Sequence, residues 1–421
     1  MSKKIAIIGS GVAGLATAWL LSKDYEVSLF EKKPTLGMGH KGIFVETAAG
    51  QQRIDIPPRV INANHYIELF KLLGEIELEA HIVKQEACFS NQLRNPYLAF
   101  KTYNYFQKSF TVPKFQTNNL KWMIRHTSEL LRWISYLNGN SKTEPNPLNI
   151  EEFVHSLGYT REFYTSFLMP MWSLMCTCNA EQLKIFPSHH LIEIFKSFGT
   201  DTPSQRIKGG TEALELKLTQ ALSNVYLSKQ VKGIENQGNQ LKLVLADTEL
   251  LFDHIIIATE PFFAAKFLND EWRQEKEILE KVPYTETTMV MHTDSHQMPL
   301  LAKDWAPVNI FVNHQTQDTS ATLWMNKLES ETTKMEAIFQ SWDPKTEIPA
   351  AKKLAKRVFK RSLTSADSEV RVAHLRDMMK TQAHRKLWFV GSYMAEGVPL
   401  LENGVHSANF VNSCIRAATP S

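Results

Sequence analysis

Four residues near the start of the chain have the types and spacing to hold a nucleotide. Gly9, Gly11 and Gly14 spell G-x-G-x-x-G, and Glu31 follows 22 residues after the first glycine. In such a turn the first glycine allows the tight bend and the second lets the backbone approach a pyrophosphate. The third lets helix and strand pack closely. A helix opening at the turn offers free N–H groups and a partial positive charge to the pyrophosphate. An acid at the end of the next strand is placed to accept a hydrogen bond from a ribose hydroxyl. The elements that must position these residues are legible on either side. Ile5-Ala6-Ile7-Ile8 is a short apolar run fit for a buried parallel strand. Residues 15–21 favour a helix, and residues 25–31 read as a second strand ending in the acid. A basic start before an apolar run also begins a secretory signal, but three glycines inside the run favour the nucleotide turn.

A chain of 421 residues is longer than one core usually supports, which implies two domains. Hydrophobic residues at 43% and charged residues at 22% place it among soluble globular proteins. A net charge of +3 is too mild to argue for nucleic acid, and no motif for it occurs. The cysteines are Cys88, Cys176, Cys178 and Cys414. The one close pair, Cys-Thr-Cys, lacks the two-residue gap of a zinc knuckle or redox pair. Free thiols in a reducing cytoplasm are expected, with no metal. Beyond the first run, no apolar stretch approaches the ~18 residues that span a bilayer.

Two kinds of segment alternate along the chain. Residues 1–80, 201–284 and 380–421 read as a nucleotide-binding domain. Within them lie strands in "FVET" and "QRIDI", the Gly-Gly turn of "IKGGTEAL", a hairpin at Gln237-Gly238-Asn239, and a closing strand-glycine-helix at "LWFVGSY…LLENGVHSA". Residues 81–200 and 285–379 read as a second domain. Its first part is taken as mainly helical, with Asn149 as an N-cap and a glutamate three positions on. Its second part is taken as a sheet, from "TETTMVMHTD", "VNIFVNHQ" and "ATLWMNKL". The basic run "AAKKLAKRVFKRSL" reads as a solvated helix face. A membrane contact through its lysines 352, 353, 356 and 360 is an open alternative, so the expected location is the cytoplasm with a peripheral contact to the inner membrane left open.

With these landmarks in order, the chain resembles the flavin-containing amine oxidase and phytoene desaturase superfamily. It is most similar to the bacterial NAD/FAD-binding, amine-oxidase-like proteins. The landmarks are G-S-G-V-A-G-L with Glu31, "LGMGH", "MPMWS", "RIKGGTEAL", "DHIIIAT", "LWMNKL" and "WFVGSY…LENGVHSA". The resemblance implies an α/β protein, in which a Rossmann-like FAD-binding domain is interleaved with an α+β substrate domain. It also implies FAD as cofactor and an oxidoreductase reaction. Gly9, Gly11, Gly14 and Glu31 would meet the pyrophosphate and adenosine ribose, and Gly39 and His40 the phosphates and flavin edge. Val231 would hold the adenine through its backbone, and Thr259 would begin a loop passing the cofactor. Gly391 and Glu402 would sit by the ribityl and pyrophosphate groups. Gly404 and Val405 would offer N–H groups to the flavin C2 carbonyl.

Two departures bear on the chemistry. Leu400 stands where amine oxidases often carry an aromatic, and the strand "TETTMVMHTD" has no lysine where they carry one. A pocket of leucine, methionine, phenylalanine and tryptophan is expected, suited to a long apolar substrate. Met171, Trp172, Trp324 and Leu400 would wall it, and Arg59 would anchor a substrate or flavin group. His292 or His40 would move a proton while a hydride leaves an activated, allylic carbon. An amine or amino-acid oxidase is the alternative, and a non-catalytic flavoprotein the second. No nucleic-acid partner is expected.

Overall fold

The computed structural model describes all residues except 1–2, 39–41, 48–49, 85, 106–107, 115–119, 140–144, 199–201, 329–335 and 419–421. The short apolar runs become a five-stranded parallel sheet. Its order is Asn224–Tyr226, Glu26–Phe30, Lys4–Ile8, His254–Ile257 and Leu387–Phe389. Parallel strands are covered on both faces, so they read as unbroken hydrophobic runs. Ile5, Ile7, Ile255, Ile256 and Ile257 are indeed fully buried. Helices Val12–Leu21 and Leu401–Ala417 pack into the same core, as does Ala366–Thr381. The hairpin foreseen at Gly238 joins Gly233–Gln237 to Gln240–Val244, with Gly238 at φ +61°.

A second hydrophobic core is built between a large sheet and a helical section. The sheet has eight strands. In order they are Lys353–Ser362, Tyr284–His292, Phe339–Trp342, Thr319–Trp324, Val308–Val312, Ala87–Asn91, Pro96–Tyr105 and Lys108–Pro113. The helical section runs from Leu120–Asn138 through Ser188–Phe198. Asn149 caps Ile150–Ser156 in a reciprocal capping box with Glu152, as its spacing anticipates.

Three readings of the sequence are corrected here. The basic run near 350–363 is a strand, Lys353–Ser362, on the edge of the large sheet. Its inward Ala355 and Phe359 lie opposite the exposed Lys356 and Lys360, and such lysines are a common way to keep a sheet edge from recruiting another strand. The section 81–200 is not mainly helical at its start, since residues 87–113 supply three strands of that sheet. The helix Ala366–Thr381, expected with the second domain, buries Val372, Leu375 and Met379 in the first core.

The nucleotide turn is packed at the limit of backbone contact. Gly9 has φ +106°, and a Cβ there would lie 2.7 Å from the Ala258 carbonyl oxygen. A Cβ on Gly14 would lie 2.0 Å from the Gly9 oxygen. Overpacking of rigid backbone costs about 1–3 kcal/mol or more. A Gly14→Ala variant should therefore lose at least that much stability, read as a lower denaturant midpoint with unchanged slope. An unchanged midpoint would remove the close-packing role.

Candidate functional site

The carboxyl ends of the parallel strands open into a cavity of about 1280 Å³. This is where open α/β sheets bind ligands. The lining takes in Gly9, Gly11, Glu31, Val231, Thr259 and Gly391, which the sequence reading singled out and the fold brings together. A Cβ on Gly11 would meet nothing within 4 Å, so the turn leaves space on its cavity side. Glu31 is buried, and Ser10 fixes it. One carboxylate oxygen accepts from the Ser10 N–H at 3.1 Å and hydroxyl at 2.6 Å, the other from the Lys33 N–H at 2.9 Å. The Ser10 hydroxyl oxygen also accepts from the Gly37 N–H at 2.7 Å, tying the following loop to the turn. Each carboxylate oxygen can accept more than one bond, so capacity for a ribose hydroxyl remains. Ser10 was missed because it fills a free position of the motif.

The other part of the lining comes from the second core. Phe167, Met171, Leu174, Phe195, Trp342 and Leu400 are among its walls. Phe167 sits in a π-helical turn, Tyr164–Leu168, a local form frequent at functional sites.

Arg59 also faces the cavity, on a loop braced from below. Asp55 accepts from the Thr211 N–H at 2.8 Å and hydroxyl at 2.5 Å, which caps the helix Gly210–Thr219. Arg53 pairs with Glu215 at 3.1 Å, and buried Arg206 donates to the Pro58 carbonyl. Arg59 itself is left-handed, with φ +51°, and its Nε is buried without a hydrogen-bond partner. Burial pushes its guanidinium down from the usual range; Asp55 offsets this, and Arg361, on the same lining, adds to it. Arg361 was missed because its strand reads as a helix.

Several expected site residues lie elsewhere. Among the described residues, Gly14, His292, Trp172, Trp324, Glu402, Gly404 and Val405 are not in the lining; Gly14 packs against Gly9 and Ala258 instead. His292 is buried on its strand. Its Nε2 meets the Ser341 hydroxyl at 2.8 Å and its Nδ1 accepts from the Asp294 N–H at 3.1 Å, so both nitrogens are taken. Trp172 donates to the Leu191 carbonyl at 2.7 Å and packs edge-on against Trp133. Trp324 packs edge-on against Trp305. The Glu402 carboxylate accepts from the N–H groups of Glu68 and Leu69 at 2.8 and 3.0 Å, capping the helix Ile67–Glu75. A Cβ on Gly404 would lie 2.8 Å from Val12 Cγ1, and its N–H is already given to the Leu400 carbonyl. Val405 is buried one turn inside that helix. The donors left over at its start belong to the first turn, residues 401–403, and Leu401 does line the cavity. Gly39 and His40 lie outside the described residues.

Comparison with known proteins agrees with this geometry. Residues 7–76 match the model of the NAD(P)-binding Rossmann-like domain. A 1-hydroxycarotenoid 3,4-desaturase from Flavobacterium sp. is 39% identical over 89 residues, 20% of this chain and 17% of that protein. Two solved structures match nearly end to end. The cyclohexylamine oxidase of Brevibacterium oxydans superposes with TM-score 0.64 at 13% identity, covering 99% of each chain. The CLA-producing fatty acid isomerase of P. acnes does so with TM-score 0.64 at 12% identity, covering 98% of each. At such identities the likeness is one of fold.

Two outcomes follow. Gly11→Ala should keep the wild-type melting temperature yet weaken binding of a dinucleotide, read by equilibrium dialysis, because the added methyl meets only cavity. A lowered melting temperature with dinucleotide binding kept would reverse that assignment. Burial lowers the His292 pKa from 6.5 to about 4. The unfolded chain then binds the extra proton first, so stability falls as pH drops from 6.5 towards 4. His292→Gln should lose less stability over that window, measured by denaturant titration at each pH. A loss equal to wild type would show that His292 is not buried neutral.

Proposed function

We propose that this chain, which has the fold of the amine oxidase and desaturase flavoproteins, is an FAD-dependent oxidoreductase acting on a hydrophobic, lipid-like substrate. One observation carries the reading: a single cavity whose lining joins the glycine turn and Glu31 to an apolar wall from the second core. Its volume exceeds the ~300–1000 Å³ of a site for one drug-sized ligand, which leaves room for a dinucleotide and a long substrate together. The residues present fit FAD. Open space over Gly11 suits the pyrophosphate, Glu31 the ribose, and the start of the last helix a group bearing negative charge.

FAD bound there would supply the hydride acceptor, with the donor an activated, allylic carbon of the substrate. The protein's own contribution is to orient and to exclude water. Met171, Leu174 and Phe195 offer an apolar wall that gains by covering hydrocarbon. Held in that wall, the reacting carbon loses the freedom that makes the uncatalysed encounter rare. Arg59 and Arg361 would hold an anionic group of substrate or cofactor. Those cations, with Lys84, are a poor setting for a protonated amine, which supports the lipid reading over the amine oxidase one.

The test is an absorbance spectrum followed by anaerobic mixing. Flavin bands near ~450 nm should bleach with an unsaturated fatty acid or acyl lipid and not with amines. Bleaching by amines alone would overturn the substrate class, and a colourless protein that cannot be reconstituted would sink the enzyme reading. Met171→Glu should raise the KM for the lipid about tenfold or more with flavin content unchanged, since it buries a charge against hydrocarbon.

A further inference from the structure

The elements that frame the cavity also carry the densest group of exposed apolar side chains. Among the described residues, 23 large apolar side chains are exposed, and eight of them fall between Tyr103 and Ile134. They occupy two elements. On the helix Leu120–Asn138, Leu120, Ile124, Leu131 and Ile134 recur at helical spacing on the side opposite buried Trp122 and Trp133. On the hairpin Pro96–Tyr105 and Lys108–Pro113, one face carries three cross-strand pairs: Lys101 with Val112, Tyr103 with Phe110, and Tyr105 with Lys108. Ile124 is 76% exposed, Leu131 61% and Tyr103 54%. None of these three lines the cavity, whereas their neighbours Phe110, Val112, Leu130 and Ile134 do. The apolar surface therefore borders the opening.

The charge of this region is one-sided. Lys101, Lys108 and Lys121 are exposed, and Arg125 is paired with Glu162 at 2.9 Å. Residues 101–138 contain six lysines and arginines and a single acid, Glu129. That acid is buried, held by His126 at 2.7 Å and by the Thr160 N–H at 2.6 Å. The surface is thus apolar and aromatic with a cationic rim. Such a combination lies in the plane of a membrane interface, with apolar side chains below the headgroups and Lys or Arg among them. A protein partner would suit the apolar residues, but the exposed Lys101, Lys108 and Lys121 select an anionic surface.

We propose that this face docks on an anionic phospholipid bilayer and turns the cavity opening toward the lipid. Delivery of a substrate from the bilayer rests on the reading of the cavity above; docking does not. The contact lies away from the Lys353–Ser362 strand, which forms the far edge of the same sheet.

The test is flotation of the full chain with vesicles of phosphatidylcholine, with and without phosphatidylglycerol. Binding should require phosphatidylglycerol and weaken with salt. The triple variant Tyr103→Ser, Ile124→Ser, Leu131→Ser should lose about tenfold or more of it with melting temperature unchanged. The double variant Lys101→Glu, Lys108→Glu should do the same without touching the apolar residues. Lys353→Glu with Lys356→Glu should leave binding intact. Wild type that does not float with anionic vesicles overturns the proposal. So does binding that survives the lysine reversal on the hairpin or is abolished by the one on the strand. A dimer in solution that dissociates on the triple substitution, without vesicle binding, would assign the face to a second copy instead. Vesicle binding by a protein whose flavin no lipid bleaches would keep the docking face and remove the substrate reading.

Discussion

The nucleotide half of the molecule depends on backbone approaches that leave no room for a Cβ. Gly9 rests on Ala258, Gly14 on Gly9, and Gly404 on Val12. These contacts tie together segments around residues 9, 258 and 404, which are far apart in the chain. They fix the ends of strands Lys4–Ile8 and His254–Ile257 against the two helices that begin and close the chain. Because the strands are parallel, their carboxyl ends fall on one side, and the loops after them converge there. The cavity is the consequence. It exists where strand ends, a glycine turn and a helix start meet with no side chain to fill the space.

The second half supplies what the first lacks. A parallel sheet with its helices can grip a nucleotide, but its lining alone would offer little hydrocarbon. The segment Asp55–Val60 links the halves. Its base is held at the start of the helix Gly210–Thr219, and the Gln340 amide of the large sheet donates to the Asp55 carbonyl at 3.1 Å. Its tip presents Arg59 in a left-handed conformation that costs a non-glycine residue energy and persists only where surroundings dictate it. A second guanidinium, Arg361, faces the same cavity. Like charges in a desolvated place are unfavourable unless an anion lies near them. The pair therefore marks a point of electrostatic demand within walls that are otherwise largely apolar.

The local signals were the legible ones. The glycine turn, the strand after it, the hairpin at Gly238 and the cap at Asn149 are each written in fewer than about a dozen residues, and each appears in the fold. What escaped was set at long range. In residues 353–362 the apolar residues fall at 354, 355, 358 and 359, a spacing that suits a helix. Pairing with Tyr284–His292 overrides it and turns Ala355 and Phe359 inward. The strands within 87–113 pair with one another in chain order and join the large sheet only where Ala87–Asn91 meets Val308–Val312, a pairing that no local window of sequence shows. His292 and Trp172 have residue types that suit chemistry, yet packing gives both their hydrogen-bond partners within the core. Glu402 was misplaced for the same reason, since its partners lie more than 300 residues away.

That misplacement alters the electrostatics of the cavity. An acid in the first turn of a helix ordinarily satisfies its own N–H groups and balances the positive end of the helix dipole. Glu402 stands in the first turn of Leu401–Ala417, but both its oxygens are turned to the start of Ile67–Glu75. Burial raises its pKa, and those two N–H groups oppose the rise. Its own helix is therefore not capped by it, while Pro399, Leu400 and Leu401 place that helix start on the cavity lining. Together with Arg59 and Arg361 this gives the lining two separate sources of positive potential, one from backbone and one from side chains. A neutral hydrocarbon has no use for either. Their presence beside an apolar wall fits two occupants of different character: one long and uncharged, the other bearing negative charge wherever those donors reach it.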